Sequence, residues 1–356
     1  MHVSGYIGKR SYERYICGMI KTDTYFTELE DKYGAHNYKP LPVVIERGEG
    51  VHVWDVSGKK YYDFLSAYSA LNQGHCHPRI IDALKNQAEK LTLTSRAFYN
   101  NVLGEFEQYI TSFFGYDKVL PMNTGVEAVE TAIKLCRKWA YDVKKLPENS
   151  AKIIVVKDNF HGRTLGVISF SNDTDSSGGF GPFLDGFVSI PYNDLGAMEQ
   201  AIKQPNIAGV MVEPIQGEAG VIVPDDGYLQ SIRKWCTASN VLFIADEVQT
   251  GIARTGKMLA CDHEGVRPDI VVLGKALSGG VLPVSAVLAD DEIMLCFQPG
   301  QHGSTYGGNP LSCAVAMEAL KVVEDEGLVE NASRLGEIFR QRMSAIDSPL
   351  VTAVRG

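Results

Sequence analysis

Leu242-Phe243-Ile244-Ala245-Asp246-Glu247 and Asp269-Ile270-Val271-Val272-Leu273-Gly274-Lys275 are short apolar runs, each ending at a chemically active residue. Neither alternates polar with apolar side chains, so neither has the pattern of a strand with one wet face. An unbroken apolar run of this length, bounded by glycine or polar residues, reads as a strand buried on both faces of a mainly parallel sheet. Lys118-Val119-Leu120, Ile153-Ile154-Val155-Val156 and Gly209-Val210-Met211-Val212 repeat the pattern. Helical stretches lie between them. One runs from Pro78, suited to a first helical position, to about residue 91, and another covers 102–114 and stops at Gly115. A third spans about 126–143, with apolar positions at Val126, Val129, Ile133, Leu135 and Cys136, and residues 309 to about 346 are again helical. Residues 43–65 read as short strands with a turn at Ser57-Gly58. The fold class expected is α/β: a mainly parallel central sheet flanked by helices, with a small α+β domain beside it.

Ligands of an open α/β sheet collect beyond the carboxyl ends of its strands. The residues there are Asn123-Thr124-Gly125, Asn159-Phe160-His161-Gly162-Arg163, Glu213-Pro214-Ile215-Gln216-Gly217-Glu218, Asp246-Glu247-Val248-Gln249-Thr250-Gly251 and Gly274-Lys275. A lysine after a strand is by itself ordinary. Asp246 changes its meaning, because a carboxylate delivered by a buried strand needs a cationic partner. A pyridinium nitrogen would serve, and a lysine with an aspartate at the ring nitrogen is the protein's share of pyridoxal-phosphate chemistry. Thr124-Gly125-Val126 opens a helix whose free N–H groups make an anion seat, with the Thr124 hydroxyl as a further donor. Ser304-Thr305 offers a second hydroxyl pair on a glycine-rich loop. Phe160 is placed to stack on a ring or to pack in the core.

Other readings fall away. The chain has 356 residues, 45% hydrophobic and 22% charged, which suits a buried core. Its net charge of −9 shows no basic stripe for a nucleic acid. No apolar run approaches the roughly 18 residues of a membrane span. The seven cysteines include no CxxC pair, which points to free thiols in a reducing compartment. Gly251-Ile252-Ala253-Arg254-Thr255-Gly256-Lys257-Met258 has the glycine and lysine spacing of a P-loop, but Met258 stands where Ser or Thr would hold magnesium. His75-Cys76-His77 and Cys261-Asp262-His263 lack a second ligand pair, so no metal is expected. Residues 1–20 carry Lys9, Arg10 and Arg14 against Glu13, a leader that leaves mitochondrial matrix and cytoplasm both open.

Taken together, several of these segments resemble the class III, ornithine-type aminotransferases. The resemblance rests on Tyr33-Gly34-Ala35-His36-Asn37-Tyr38, Asn72-Gln73-Gly74-His75-Cys76-His77-Pro78, Leu93-Thr94-Ser95-Arg96-Ala97-Phe98 and Pro121-Met122-Asn123-Thr124-Gly125. It continues through Val212-Glu213-Pro214-Ile215-Gln216-Gly217-Glu218, Ala245-Asp246-Glu247-Val248-Gln249-Thr250-Gly251, Leu273-Gly274-Lys275-Ala276-Leu277-Ser278-Gly279-Gly280 and His302-Gly303-Ser304-Thr305-Tyr306-Gly307-Gly308-Asn309. It implies a type I pyridoxal-phosphate transferase fold and a homodimer. The domains implied are a leader at 1–20, a small-domain segment at 21–78, a large cofactor domain at 79–327 and the start of a C-terminal small domain at 328–356.

The activity implied is transfer of the δ-amino group of ornithine to 2-oxoglutarate. Lys275 would carry the cofactor and move the proton, Asp246 would pair with the ring nitrogen, Gln249 would lie by the ring hydroxyl and Phe160 on the ring. Gly125 and Val126 would hold the phosphate, with Thr305 reaching over from the partner subunit. Tyr38 and Arg163 would clamp the amino-acid end of ornithine, Tyr68 would line the pocket, and Glu218 would mask a second substrate arginine. That arginine lies, in the family, beyond Val354-Arg355-Gly356, so a truncated chain is expected. Enzymes for acetylornithine or 4-aminobutyrate, and an inactive truncated paralogue, remain the alternatives.

Overall fold

A computed structural model describes residues 22–356, so the leader expected at 1–20 lies outside the described residues. The chain divides into two units, one ending at Phe64 and one running Leu65–Gly356. In the first, helix α1 (Asp23–Tyr33) precedes an antiparallel sheet of β1 (Ile45–Glu49), β2 (His52–Asp55) and β3 (Lys60–Tyr62). Asp55 makes the β2–β3 turn. Its Oδ1 accepts from the Ser57 N–H, the Ser57 hydroxyl and the Lys59 N–H at 3.0, 2.6 and 2.9 Å, and its Oδ2 accepts from the Tyr61 hydroxyl at 2.7 Å. These donors, Ser57 and Tyr61 first, hold the Asp55 carboxyl down at about 2. Gly58 takes the left-handed φ of +84° that the expected Ser57-Gly58 turn requires.

The larger unit is built on one seven-stranded sheet. Its strands are β4 (Lys118–Met122), β5 (Lys152–Val156), β6 (Phe187–Ile190), β7 (Ile207–Val212), β8 (Leu242–Asp246), β9 (Ile270–Leu273) and β10 (Ser285–Ala289). They lie in the order β4-β10-β9-β8-β7-β5-β6, and β10 runs antiparallel to both its neighbours. Five of these strands are the apolar runs of the sequence. β6 and β10 were not anticipated: Phe-Val-Ser-Ile and Ser-Ala-Val-Leu-Ala are short and carry serine, and neighbours rather than hydrophobicity make them strands.

Successive residues of one strand serve opposite faces. Ile153 and Val155 join a core beneath helix α4 (Gly125–Asp142), whose Val129, Ala132, Ile133, Cys136 and Trp139 are buried. Ile154 and Val156 join the opposite core, under α5 (Leu195–Ile202) and α6 (Tyr228–Ala238). Towards β9 and β10, Leu273 and Leu288 pack with Phe106 and Ile110 of α3 (Leu103–Phe114) and with Leu320 of α7 (Pro310–Asp325). Burial on both faces is why these strands read as unbroken apolar runs. Helix α2 (Pro78–Ala88) starts at its proline as expected and ends a turn earlier than residue 91. The helical region expected across 309–346 is two helices, α7 and α8 (Leu328–Ser344), parted at Gly327 with φ +60°. α7 is buried along much of its length, whereas α8 buries none of its side chains. Residues 65–78 and 328–356 both fall in the larger unit.

Candidate active site

Strand order decides which strand ends meet. The carboxyl ends of β5, β7, β8 and β9 lie side by side and surround a cavity of about 320 Å³. Phe160, Arg163, Glu213, Asp246, Gln249 and Lys275 all line it. So do Gly125 and Val126, from the first turn of α4.

Asp246 ends β8 and is buried. Its Oδ1 accepts from the Val248 N–H at 3.1 Å, and its Oδ2 lies 2.6 Å from Nδ1 of the buried His161. Burial works against charge on this imidazole, but the hydrogen bond and charge of Asp246, aided by Glu213, outweigh it and raise the His161 pKa. Glu213, also buried, accepts the Phe160 N–H at 2.9 Å and so fixes the backbone beneath Phe160. Burial pushes Glu213 up to about 7; Asp246 adds to the shift while His161 opposes it. His161 and Glu213 were quoted among the strand-end residues, but no role was read for either. The available signal was a buried aspartate in need of a fixed partner, with a histidine among its candidate neighbours.

Lys275 stands after β9 with φ +43°, a left-handed conformation that costs energy for any residue with a Cβ. Such strain persists where surrounding structure over-determines it, often at a site. Burial lowers the Lys275 pKa, opposed by the charges of Asp246, Glu218 and Glu213. Glu247, next to Asp246 in sequence, has a different task. It accepts from the Thr250 hydroxyl and from the Ala260 and Cys261 N–H groups at 3.0 and 2.9 Å, pinning the following loop.

Helix α4 presents its N-terminus to the cavity, and there Thr124 has a task that its sequence position did not show. Its hydroxyl is the helix cap, accepting the Glu127 N–H at 3.3 Å while Glu127 accepts the Thr124 N–H at 2.8 Å. That hydroxyl oxygen accepts within the first turn of the helix, and Gly125 and Val126 of the same turn line the cavity. Ser304 accepts from the Asn123 amide at 2.7 Å and from the Gly307 N–H at 3.2 Å, and Thr305 is exposed. An amine with lowered pKa, a buried acid, an aromatic face and a helix N-terminus around one cavity fit a flat anionic cofactor with a basic ring nitrogen.

Arg163, which lines the same cavity, is largely exposed, 5.2 Å above the Phe160 ring, and pairs with Asp173 at 3.7 Å. The Gln249 amide donates to Glu218 at 3.0 Å and to the Tyr68 carbonyl at 3.4 Å. A Cβ on Gly217 would lie 1.4 Å from the Gln249 amide oxygen, so only glycine there leaves Gln249 its place. Tyr38 belongs to the other unit, on irregular chain after α1, and is exposed. Among the described residues there is no group of three or more His, Cys, Asp or Glu that could hold a metal.

Comparison with known proteins places this geometry. The family described as aminotransferase class-III matches residues 33–356. A rat protein, "Ornithine aminotransferase, mitochondrial", is 64% identical over 332 residues, which are 93% of this chain and 76% of that one. The ornithine aminotransferase structure from Toxoplasma gondii, described as having partial occupancy of PLP at its active site, superposes with a TM-score of 0.94. It is 51% identical, over 98% of this chain and 83% of its own. An acetylornithine aminotransferase structure from Elizabethkingia anophelis is 65% identical with a TM-score of 0.84, over 91% of this chain and 80% of its own.

Proposed function

Because the chain belongs to the class-III aminotransferases, we propose that it moves the δ-amino group of ornithine to 2-oxoglutarate, giving glutamate 5-semialdehyde and glutamate. It is a pyridoxal-phosphate enzyme of that family. The observation that carries the reading is the meeting of Lys275 and Asp246 at one cavity beside the N-terminus of a capped helix. When bound, pyridoxal phosphate supplies an electron sink that lets a C–H bond next to nitrogen ionise.

The chain's own residues do the rest. Asp246, oriented by His161 and the Val248 N–H, holds a proton on the ring nitrogen. Lys275, its pKa lowered by burial, is deprotonated more readily than an exposed lysine and so can hold and pass on a proton at Nζ. Phe160 covers the ring face on a backbone held by Glu213, and Gly125 and Val126 give N–H groups to the phosphate. Arg163 offers a planar fork to the substrate carboxylate, and the Tyr38 hydroxyl would hydrogen-bond the same end. Gln249 serves the ring hydroxyl, Tyr68 the pocket wall, and Glu218, held by Gln249, masks a second substrate arginine.

The same reading includes a homodimer in which Thr305 reaches the partner's phosphate. It also keeps a large domain at 79–327 with smaller-domain segments on either side. Among the described residues no helix is long and apolar enough to cross a membrane. The described cysteines are free thiols, in keeping with a reducing compartment such as the cytoplasm or mitochondrial matrix.

Acetylornithine is the competing substrate, favoured by the Elizabethkingia likeness. Its α-nitrogen is a neutral amide, so a site built to recognise the free α-amino end rejects it. The test is a single-turnover reaction of the pyridoxal-phosphate form with ornithine, N-acetylornithine or 4-aminobutyrate, followed by cofactor absorbance. Ornithine should react at least tenfold faster than either. Faster reaction with N-acetylornithine would assign the chain to that substrate.

A further inference from the structure

Ser66, Ala67, Tyr68 and Ser69 all have positive φ, at +51°, +46°, +56° and +71°. With ψ near +48° and +44° at Ala67 and Tyr68, the segment is one turn of left-handed helix made without glycine. Each residue pays for its Cβ against a carbonyl, so surrounding contacts must hold the turn. Its local bonds run from the Tyr68 N–H to the Leu65 carbonyl at 3.0 Å, from the Ala70 N–H to the Ser66 and Ala67 carbonyls at 3.0 and 3.3 Å, and from the Leu71 N–H to the Ser66 carbonyl at 3.3 Å. The loop after β8 supplies outside contacts to it. Gln249 donates to the Tyr68 carbonyl at 3.4 Å, and Arg254 Nη2 reaches the Ser66 hydroxyl at 3.4 Å. The same Nη2 donates to Asn72 Oδ1, and Asn72 Nδ2 donates to the Ile252 carbonyl at 2.7 Å, closing a loop of hydrogen bonds. Gln73 ties the next residue to the Ala276 carbonyl at 3.0 Å, directly after Lys275.

No carboxylate pairs with Arg254 among the described residues, and desolvation lowers its pKa. An arginine whose side-chain bonds go only to neutral acceptors in and just after one strained turn ties that turn to the loop after β8. We propose that Arg254 is a positioning residue for substrate selection: with Asn72 it holds the left-handed turn that carries Tyr68. This rests on the reading of Tyr68 as a wall of the ornithine pocket. One guanidinium nitrogen serves Asn72 and Ser66 together, and a lysine ammonium, on a shorter side chain and without the rigid plane that fixes that nitrogen, would not hold it between them.

The test compares Arg254→Lys, Asn72→Ala and Tyr68→Ala for KM, kcat and cofactor affinity. Arg254→Lys should raise the KM for ornithine about tenfold while kcat stays within about threefold. The preference for ornithine over 4-aminobutyrate should fall about as far as in Tyr68→Ala, with cofactor affinity unchanged. The Arg254→Lys/Tyr68→Ala double variant should be no worse than Tyr68→Ala alone, because one residue acts through the other. Asn72→Ala breaks the same link and should give the same pattern; it decides the matter if Arg254→Lys does not fold. Parental KM and preference in both, or equal losses of kcat and cofactor affinity, would overturn the proposal. If Tyr68→Ala itself keeps the parental preference, the assignment of Tyr68 to the substrate fails, and the proposal with it.

Discussion

Asp246 and Glu247 are adjacent carboxylic acids with different tasks, and the difference comes from what reaches them. Glu247 is surrounded by N–H and O–H donors of its own loop, while Asp246 meets an imidazole and lines the cavity. Asp246→Asn should keep the fold and lower turnover by about a thousandfold or more, near 4 kcal/mol on the barrier. Turnover within tenfold of the parent would remove Asp246 from the site. Glu213 allows a separate test in the cofactor-free protein. Its folded pKa of about 7 exceeds its ordinary value of 4.5, so between these pH values the folded state holds a proton that the unfolded chain has lost. Stability should therefore fall as pH rises from about 4.5 to 7, by up to about 3 kcal/mol. His161, also raised, contributes stability that is full below its unfolded pKa and is lost as pH rises through its folded one, so it adds to the same slope. Glu213→Gln keeps an oxygen for the Phe160 N–H and removes one titration. Thermal unfolding from pH 4.5 to 7.5 should show a shallower decline in this variant, and equal slopes would mean that Glu213 titrates normally.

Among the elements, α4 links fold to site. Its apolar stripe docks on the sheet, its capping box closes its first turn, and Gly125 and Val126 of that turn line the cavity. Thr124→Ala should cost about 1 kcal/mol in chemical denaturation, the usual cost of losing a threonine cap. Since the hydroxyl is already engaged with Glu127, cofactor affinity should drop less than about threefold, an indirect effect of fraying. A loss beyond tenfold, measured by cofactor titration, would show that the hydroxyl serves the phosphate after all. β10 makes the complementary point. Its reversed direction lets β9 and β4 lie on either side of it while both still point towards the site.

For the whole molecule, the dimer reading can be checked by mixing two variant chains. Thr305→Ala should weaken cofactor binding by about tenfold if its hydroxyl donates to a phosphate. Lys275→Ala should abolish turnover. If Thr305 serves the partner's cavity, a mixed dimer of the two variants contains one site with both Lys275 and a partner Thr305. Co-refolded chains should then recover parental cofactor affinity in that site, seen as borohydride fixation on the peptide carrying Lys275. Affinity no better than in the Thr305→Ala homodimer would mean that Thr305 works within its own chain or not at all.

Five strands of the seven-stranded sheet, the polar residue each delivers, and the places of Lys275 and Asp246 at the ends of buried strands were all legible along the chain. Hydrophobic periodicity and strand ends are local properties, and burial on both faces leaves an unbroken apolar signature. Partners from different strand ends were not legible. His161 and Asp246 lie 85 residues apart, and Arg254 and Asn72 lie 182 apart. They meet because β5, β7 and β8 are neighbours in the sheet and because the chain before α2 returns to the loop after β8. The cap at Thr124 was not legible for a related reason: a hydroxyl at a helix start can accept from the first turn, donate to an anion or do both, and the position of Glu127 decided that it caps. By itself the sequence determined which segments are buried and which chemistry stands at their ends. Only the tertiary structure decided which of those ends face one another, because strand order, direction and turn geometry arise from contacts between residues remote in the chain.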